Sequence, residues 1–385
     1  MSTPDWFSHT ATAPTRARQQ VTRHLAVYAL TVGEQARLHL GDDVSICVSG
    51  SLARGEPAIR RSRSGYALGS DVDLVAVVDD PSDPAPVEKF TRALLEAHPD
   101  IDSTVFAVSC RDVGRVAGCF GADLHNAAHH PLAGPVLAGV ADPPIGPREG
   151  LEGLTHQLAT IFCPDSPPWA TPWRIKTALE ALRAVASLGG CVGGPQRYGA
   201  LVDDPGACAV LGRDVVADLV RAREHSRPMP LPDARTYELV RTAAAHLFGV
   251  AATHRDLLDA LHTVAAGMHL LDGFQRAVLA ATVILYGPPR YRRAAASALH
   301  LTLAVIDPGT VPTALDSLDG LARISPTEFG RGIDHPNRVL RAHLQGLRAD
   351  YYRHLGPHNF GARPAANYTG PTPATGSTAG RHDRG

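Results

Sequence analysis

Lysine is nearly absent: Lys89 and Lys176 are the two lysines in 385 residues, and arginine supplies the rest of a Lys+Arg total of 37. That shortage reads as GC-rich coding bias. Neither sign of charge is in excess, with 37 cations against 38 acids and a net charge of −1. A global basic surface for nucleic acid or anionic membrane is therefore not indicated. Cysteine is sparse: Cys47, Cys110, Cys119, Cys163, Cys191 and Cys208 contain no C-x-x-C pair. A chain of this length needs no disulfide staples, so small buried thiols in a reducing cytosol are expected. Long apolar runs are lacking too. The longest, Ala277 to Tyr286, is too short to span a bilayer. The opening MSTPDWFSHTATAPTRAR has no basic start followed by an apolar run, so no secretory signal is expected. These absences predict a soluble, cytoplasmic protein. What is abundant is core material, 44% hydrophobic against 19% charged, which rules out wholesale disorder.

The length suits two or three domains. Residues 1–14 read as a flexible arm. From Thr15 to Leu40, Ala, Leu and Val recur at helical spacing. Val44 to Val48, Val72 to Val78 and Ile101 to Val108 read as strands, with a helix over Val87 to Ala97. From Arg148 the pattern is helical almost throughout, with helices expected over Trp173–Ser187, Gly212–Glu224, Asp233–Phe248, His254–Leu271, Phe274–Tyr286, Arg290–Val305 and Pro336–Tyr352. The fold class is therefore α+β: an N-terminal mixed β-sheet with flanking helices, then a mostly α-helical C-terminal region. Residues 15–147 form the first unit and 148–360 the second, with a further break near 250. Residues 361–385 have no apolar period and are expected to be disordered.

One constellation carries chemistry. The first strand ends in Ser49-Gly50-Ser51-Leu52-Ala53-Arg54-Gly55-Glu56, and the second opens with Ser70-Asp71-Val72-Asp73-Leu74. Asp71 and Asp73 are two apart on a strand, so both leave the same face. Paired carboxylates repel one another and have little structural use without a cation; all-oxygen donors of this kind suit Mg²⁺. Gly50 lets a phosphate approach the backbone. Ser51 offers a hydroxyl and an amide at the start of a short helix, where exposed amides favour anions. Arg54, one turn on, would add a cation to the same phosphates. Asp102, on the third strand, would face the Asp pair. Asp100 has the same parity, and Asp102 is favoured because Pro99 makes Asp100 a strand entrance.

The Gly-Ser turn, the Asp71-Val72-Asp73 pair and the later acid resemble the DNA polymerase beta-like nucleotidyltransferase superfamily. Gly-Ser-Leu-Ala-Arg-Gly-Glu followed by Ser-Asp-Val-Asp-Leu is most similar to small bacterial members, the aminoglycoside adenylyltransferases and minimal nucleotidyltransferases. The resemblance covers about residues 40–110. It implies two Mg²⁺ ions and transfer of a nucleoside monophosphate from ATP or another triphosphate, with release of pyrophosphate. By position, Gly50 and Ser51 would hold the β- and γ-phosphates, and Asp71 and Asp73 both metals. Asp102 would hold the metal that activates the acceptor and help take its proton. Trp173 to Tyr198 loosely resembles the acceptor-binding helices of the aminoglycoside enzymes. The acceptor expected is a hydroxyl of a small molecule. The alternatives are a protein side chain, giving adenylylation, and a non-catalytic nucleotide-binding regulatory module. The neutral charge balance argues against nucleic acid.

Between the Gly-Ser turn and the acids, Pro57 to Gly69 is longer than the family pattern and carries Arg60, Arg61 and Arg63. It reads either as a substrate-gripping loop or as a solvated hairpin. His125, His129 and His130 are expected to be capping or solvent-facing residues. Glu180 is expected on a helix surface, paired with Lys176 or Arg183. Trp169 and Trp173 are expected to pack at a domain junction, and Arg290, Arg292 and Arg293 to form a solvated helix start.

Overall fold

In the computed structural model the described residues are 6–306 apart from 11–12, 82, 117, 160–170, 190–196, 266–267 and 269. The expected helix Pro336–Tyr352, the tail, Trp169 and the side chain of Trp173 lie outside them.

The N-terminal part is a small mixed sheet under helices. Helix α1 (Thr15–His39) buries Ala17, Val21, Leu25, Tyr28, Val32 and Ala36, one stripe at three- and four-residue spacing. Strand β1 (Ser45–Val48) leads into the four-residue helix α2 (Gly50–Ala53), and a hairpin of β2 (Ile59–Ser62) and β3 (Gly65–Leu68) follows. Strand β4 (Val72–Val78) is central, antiparallel to β1 and parallel to β5 (Ser103–Ser109), with α3 (Ala85–Ala97) as the crossover. Both faces of β4 are covered, which explains its unbroken apolar run apart from Asp73. The pairing of β1 is extended by Leu132 and Ala133, which exchange backbone hydrogen bonds with Ile46 after helix α4 (Gly118–Ala127).

Helices make up the rest: α5 (Pro147–Ala159), α6 (Thr171–Ser187), α7 (Pro205–Leu211), α8 (Arg213–Glu224), α9 (Asp233–Leu247), α10 (His254–His262), α11 (Leu270–Tyr286) and α12 (Pro289–Ile306). They share one apolar core running from Leu154 to Leu303, while the sheet and its helices share a second running from Trp6 to Ala133. No described helix is long and apolar enough to cross a membrane.

Several expectations are corrected. Trp6 and Phe7, assigned to a loose arm, are buried against the sheet's core. Two large aromatics remove enough apolar surface from water to hold so short a segment. The helix expected over His254–Leu271 ends early, at His262 (α10), and the one expected from Phe274 already starts at Leu270 (α11). Cys110 is exposed and donates to Asp79 Oδ1 at 3.3 Å, unlike the buried Cys47, whose pKa burial pushes up to about 12. The Pro57–Gly69 segment carries the β2–β3 hairpin, with Arg60, Arg61 and Arg63 exposed on it. His129 and His130 are exposed, and His125 Nδ1 lies 2.8 Å from the Val140 carbonyl.

Candidate active site

The site begins where β1 stops. Ser49 N–H donates to the Asp73 carbonyl at 2.8 Å, and Gly50 then takes φ 62°, turning the chain into α2. A Cβ at Gly50 would lie 2.7 Å from Asp73 Oδ2. Glycine is therefore required twice here, by the left-handed backbone and by the approach of a carboxylate. Ser51 follows at the start of α2, as expected. Its Oγ and that of Ser49 are buried and make no hydrogen bond.

Asp71 immediately precedes β4, Asp73 lies on it, and Asp102 immediately precedes β5. The parallel register pairs Val72 with Ser103 and Asp73 with Thr104, and Val72 N–H donates to the Asp102 carbonyl at 2.8 Å. One step back along both strands puts Asp71 alongside Asp102, so the three acids share a face at one end of the sheet. Asp100 is placed differently, 3.5 Å from His24.

The oxygens of Asp71, Asp73 and Asp102 are not all within 4.8 Å of one another. Three like charges repel, and Asp71 is drawn instead to Lys176 Nζ on α6, 3.4 Å away. That ammonium, followed by the smaller influence of Arg223, holds the Asp71 carboxyl below its usual range against the effect of burial. Asp73 behaves oppositely. Burial, then the charge of Asp71, pushes its pKa up to about 7, with Lys176 opposing. Asp102 is exposed yet also raised, by desolvation and then by Asp71. Lys176 therefore acts electrostatically on all three carboxylates.

Arg54 is not free to meet a phosphate here. Its Nε donates to Glu56 at 2.9 Å and its Nη1 to Asp123 at 2.7 Å, in a setting where all three side chains are largely buried. Burial works against its charge, but Asp123 and then Glu56 outweigh that and keep its pKa well above the usual value. Asp123, on α4, also accepts from Gly50 N–H at 3.0 Å. The Gly50 amide of the Gly-Ser turn thus has a carboxylate partner.

A chain of buried polar contacts continues from Arg54 into the helical region. Glu56 accepts from Tyr198 N–H at 2.7 Å, Tyr198 Oη donates to Glu180 at 2.5 Å, and Arg183 Nη1 donates to Glu180 at 2.9 Å. The Arg183 guanidinium lies 4.4 Å from the centre of the Tyr198 ring. Glu180 does pair with Arg183, but in the interior rather than on the expected helix surface. Lys176 pairs with Asp71.

Asp123 and Lys176 were missed as site residues. Asp123 has no local signal beyond an acid within the small-residue, apolar stretch GCFGADLHNA. Lys176 had one in its rarity. A separate open groove, lined by Phe7, Thr15, Arg18, Gln19, Thr22 and Arg23, shares no residue with this cluster. Comparison of the chain with family models, curated proteins and solved structures returns no match.

Proposed function

We propose that the chain is a Mg²⁺-dependent nucleotidyltransferase that moves a nucleoside monophosphate, AMP from ATP in the first instance, to a hydroxyl of a small-molecule acceptor. The carrying observation is the shared face of Asp71, Asp73 and Asp102 beside a Gly-Ser turn whose Ser51 hydroxyl lacks a partner. The donor set fits magnesium: hard oxygens, with one carboxylate raised to about 7 because its charge is under-compensated. Asp71 and Asp73 would hold the ions, with Asp102 contributing on the acceptor side. Bound there, the ions would supply charge stabilisation to the attacking and leaving oxygens of a phosphoryl displacement. Asp102, exposed and with its pKa raised, is suited to receive the acceptor's proton. Gly50 and Ser51 form the turn that would receive the triphosphate.

Lys176 favours a second reading, a nucleotide-binding module without turnover, because its ammonium already supplies a positive charge at the acids. The test uses α-labelled ATP, GTP, CTP and UTP with a pool of hydroxyl acceptors, including protein. The transferase reading expects Mg²⁺-dependent label transfer and pyrophosphate release, both lost on chelation and weakened in Asp102→Asn. A nucleotide-induced rise in melting temperature without pyrophosphate would establish the second reading. Neither signal would overturn both.

Lys176 makes a further prediction. Lys176→Met should tighten Mn²⁺ binding to the nucleotide-free protein by about fivefold, since a competing charge near the acids is worth roughly 1 kcal/mol when screened as in water. Titration calorimetry measures it. Unchanged or weaker binding would show that the ammonium does not compete with the ion.

A further inference from the structure

The described residues contain a different grouping of metal-ligand side chains. One ligand atom each from His24, His98 and Asp100 lies within 4.8 Å of the others. We propose that these three residues bind a divalent transition cation of the zinc class, tying α1 to the turn that leads into β5.

The donor set of two imidazoles and one carboxylate suits zinc, and three protein ligands leave a fourth position for water. The spacing is close to that required. Ligands of a tetrahedral zinc stand roughly 3.3 Å apart, from metal–ligand distances of about 2.0–2.2 Å; His24 Nε2 and Asp100 Oδ2 are 3.5 Å apart.

His98 is the buried member and is held in place. Its Nε2 lies 3.0 Å from Thr31 Oγ1, and that hydroxyl donates its own proton to the Val27 carbonyl at 3.3 Å. Thr31 is thus left to accept from Nε2–H, so Nδ1 is the basic nitrogen of the ring. This is the outer-shell hydrogen bond that orients metal-bound histidines. The Tyr28 ring meets the imidazole edge-on at 5.2 Å. The turn is fixed as well, because Ile101 N–H donates to the His98 carbonyl at 3.1 Å, holding His98 and Asp100 in one short loop. His24 reaches the same point from α1. None of these residues belongs to the Asp71–Asp73–Asp102 face, so the proposal stands independently of the transferase reading.

The test uses the untagged full chain, stripped of metal and titrated with ZnCl₂ in millimolar Mg²⁺. The expected result is one zinc bound with a micromolar or lower Kd. His24→Ala and Asp100→Asn should each weaken it by at least about tenfold, and Thr31→Val by about tenfold through loss of the orienting bond. Cobalt(II) should give visible absorption bands of a four-coordinate site, absent in His24→Ala. Asp73→Asn should bind zinc as the parent does. His24 and Asp100 have solvent-facing side chains, so circular dichroism of their variants should match the parent. Failure to bind zinc, or binding unchanged in both variants, overturns the proposal.

Discussion

Asp73→Asn should melt higher than the parent at pH 8 while losing nucleotidyl transfer by a factor of at least about 10³, the scale seen when transition-state charge stabilisation is removed. The stability effect follows from linkage. The folded pKa is about 7, while an unfolded aspartate titrates near about 3.9. The native state therefore holds this proton more tightly than the unfolded chain. Its stabilising contribution is complete below about pH 4 and is lost as pH rises through 7. Above pH 7 the parent carries the full cost of an ionised, desolvated carboxylate beside Asp71. Asparagine mimics the neutral acid and avoids it. The gain should be on the order of 2 kcal/mol, less than the raw shift implies because Asp73 is only half-buried and solvent screens its charge. Melting curves of both proteins at pH 4, 6 and 8 should converge at the acid end. Equal melting at every pH would show that Asp73 bears no such cost. A residue that destabilised the fold while serving the proposed transfer would be the usual stability–activity compromise.

The second large effect is structural. Glu56→Ala should destabilise the chain by about 3–5 kcal/mol, the cost of leaving buried charge without its partner. Glu56 is 4% exposed, accepts from Arg54 and from Tyr198 N–H, and stands 3.9 Å from Arg183. Its removal leaves a buried amide unpartnered and two guanidinium groups short of an anion. Urea unfolding would read the loss, and Glu56→Gln should recover part of it by keeping an acceptor for the amide. A loss under about 1 kcal/mol would mean that water reaches this seam.

The sequence disclosed those parts of the fold that local pattern controls. Strand β4 was legible because a doubly covered central strand must be apolar throughout, leaving Asp73 as its visible exception. Helix α1 was legible from its single buried stripe. Helix α4 was not, because Gly118 and Gly121 resemble loop residues. Gly121 is instead a packing position, where a Cβ would lie 2.3 Å from the Val116 carbonyl oxygen. In the site, the Gly-Ser turn and the shared face of the acids could be read from spacing. The partners of those residues could not. Asp123 is 73 residues from Gly50, Lys176 is 105 from Asp71, and Glu56 is 142 from Tyr198. Contacts over such separations leave no periodic trace. The partners of Arg54 were illegible for the same reason: its two anions can be recognised only once the chain has folded.

Ser70 and Asp71 are held by two different helices, through Arg223 Nη2 on the Ser70 hydroxyl at 3.1 Å and Lys176 on Asp71. Any swing of α6 or α8 away from the sheet would therefore pull on the peptide that enters β4. Anything wedged against those helices would be felt at the acids as a change in carboxylate spacing, without touching a carboxylate.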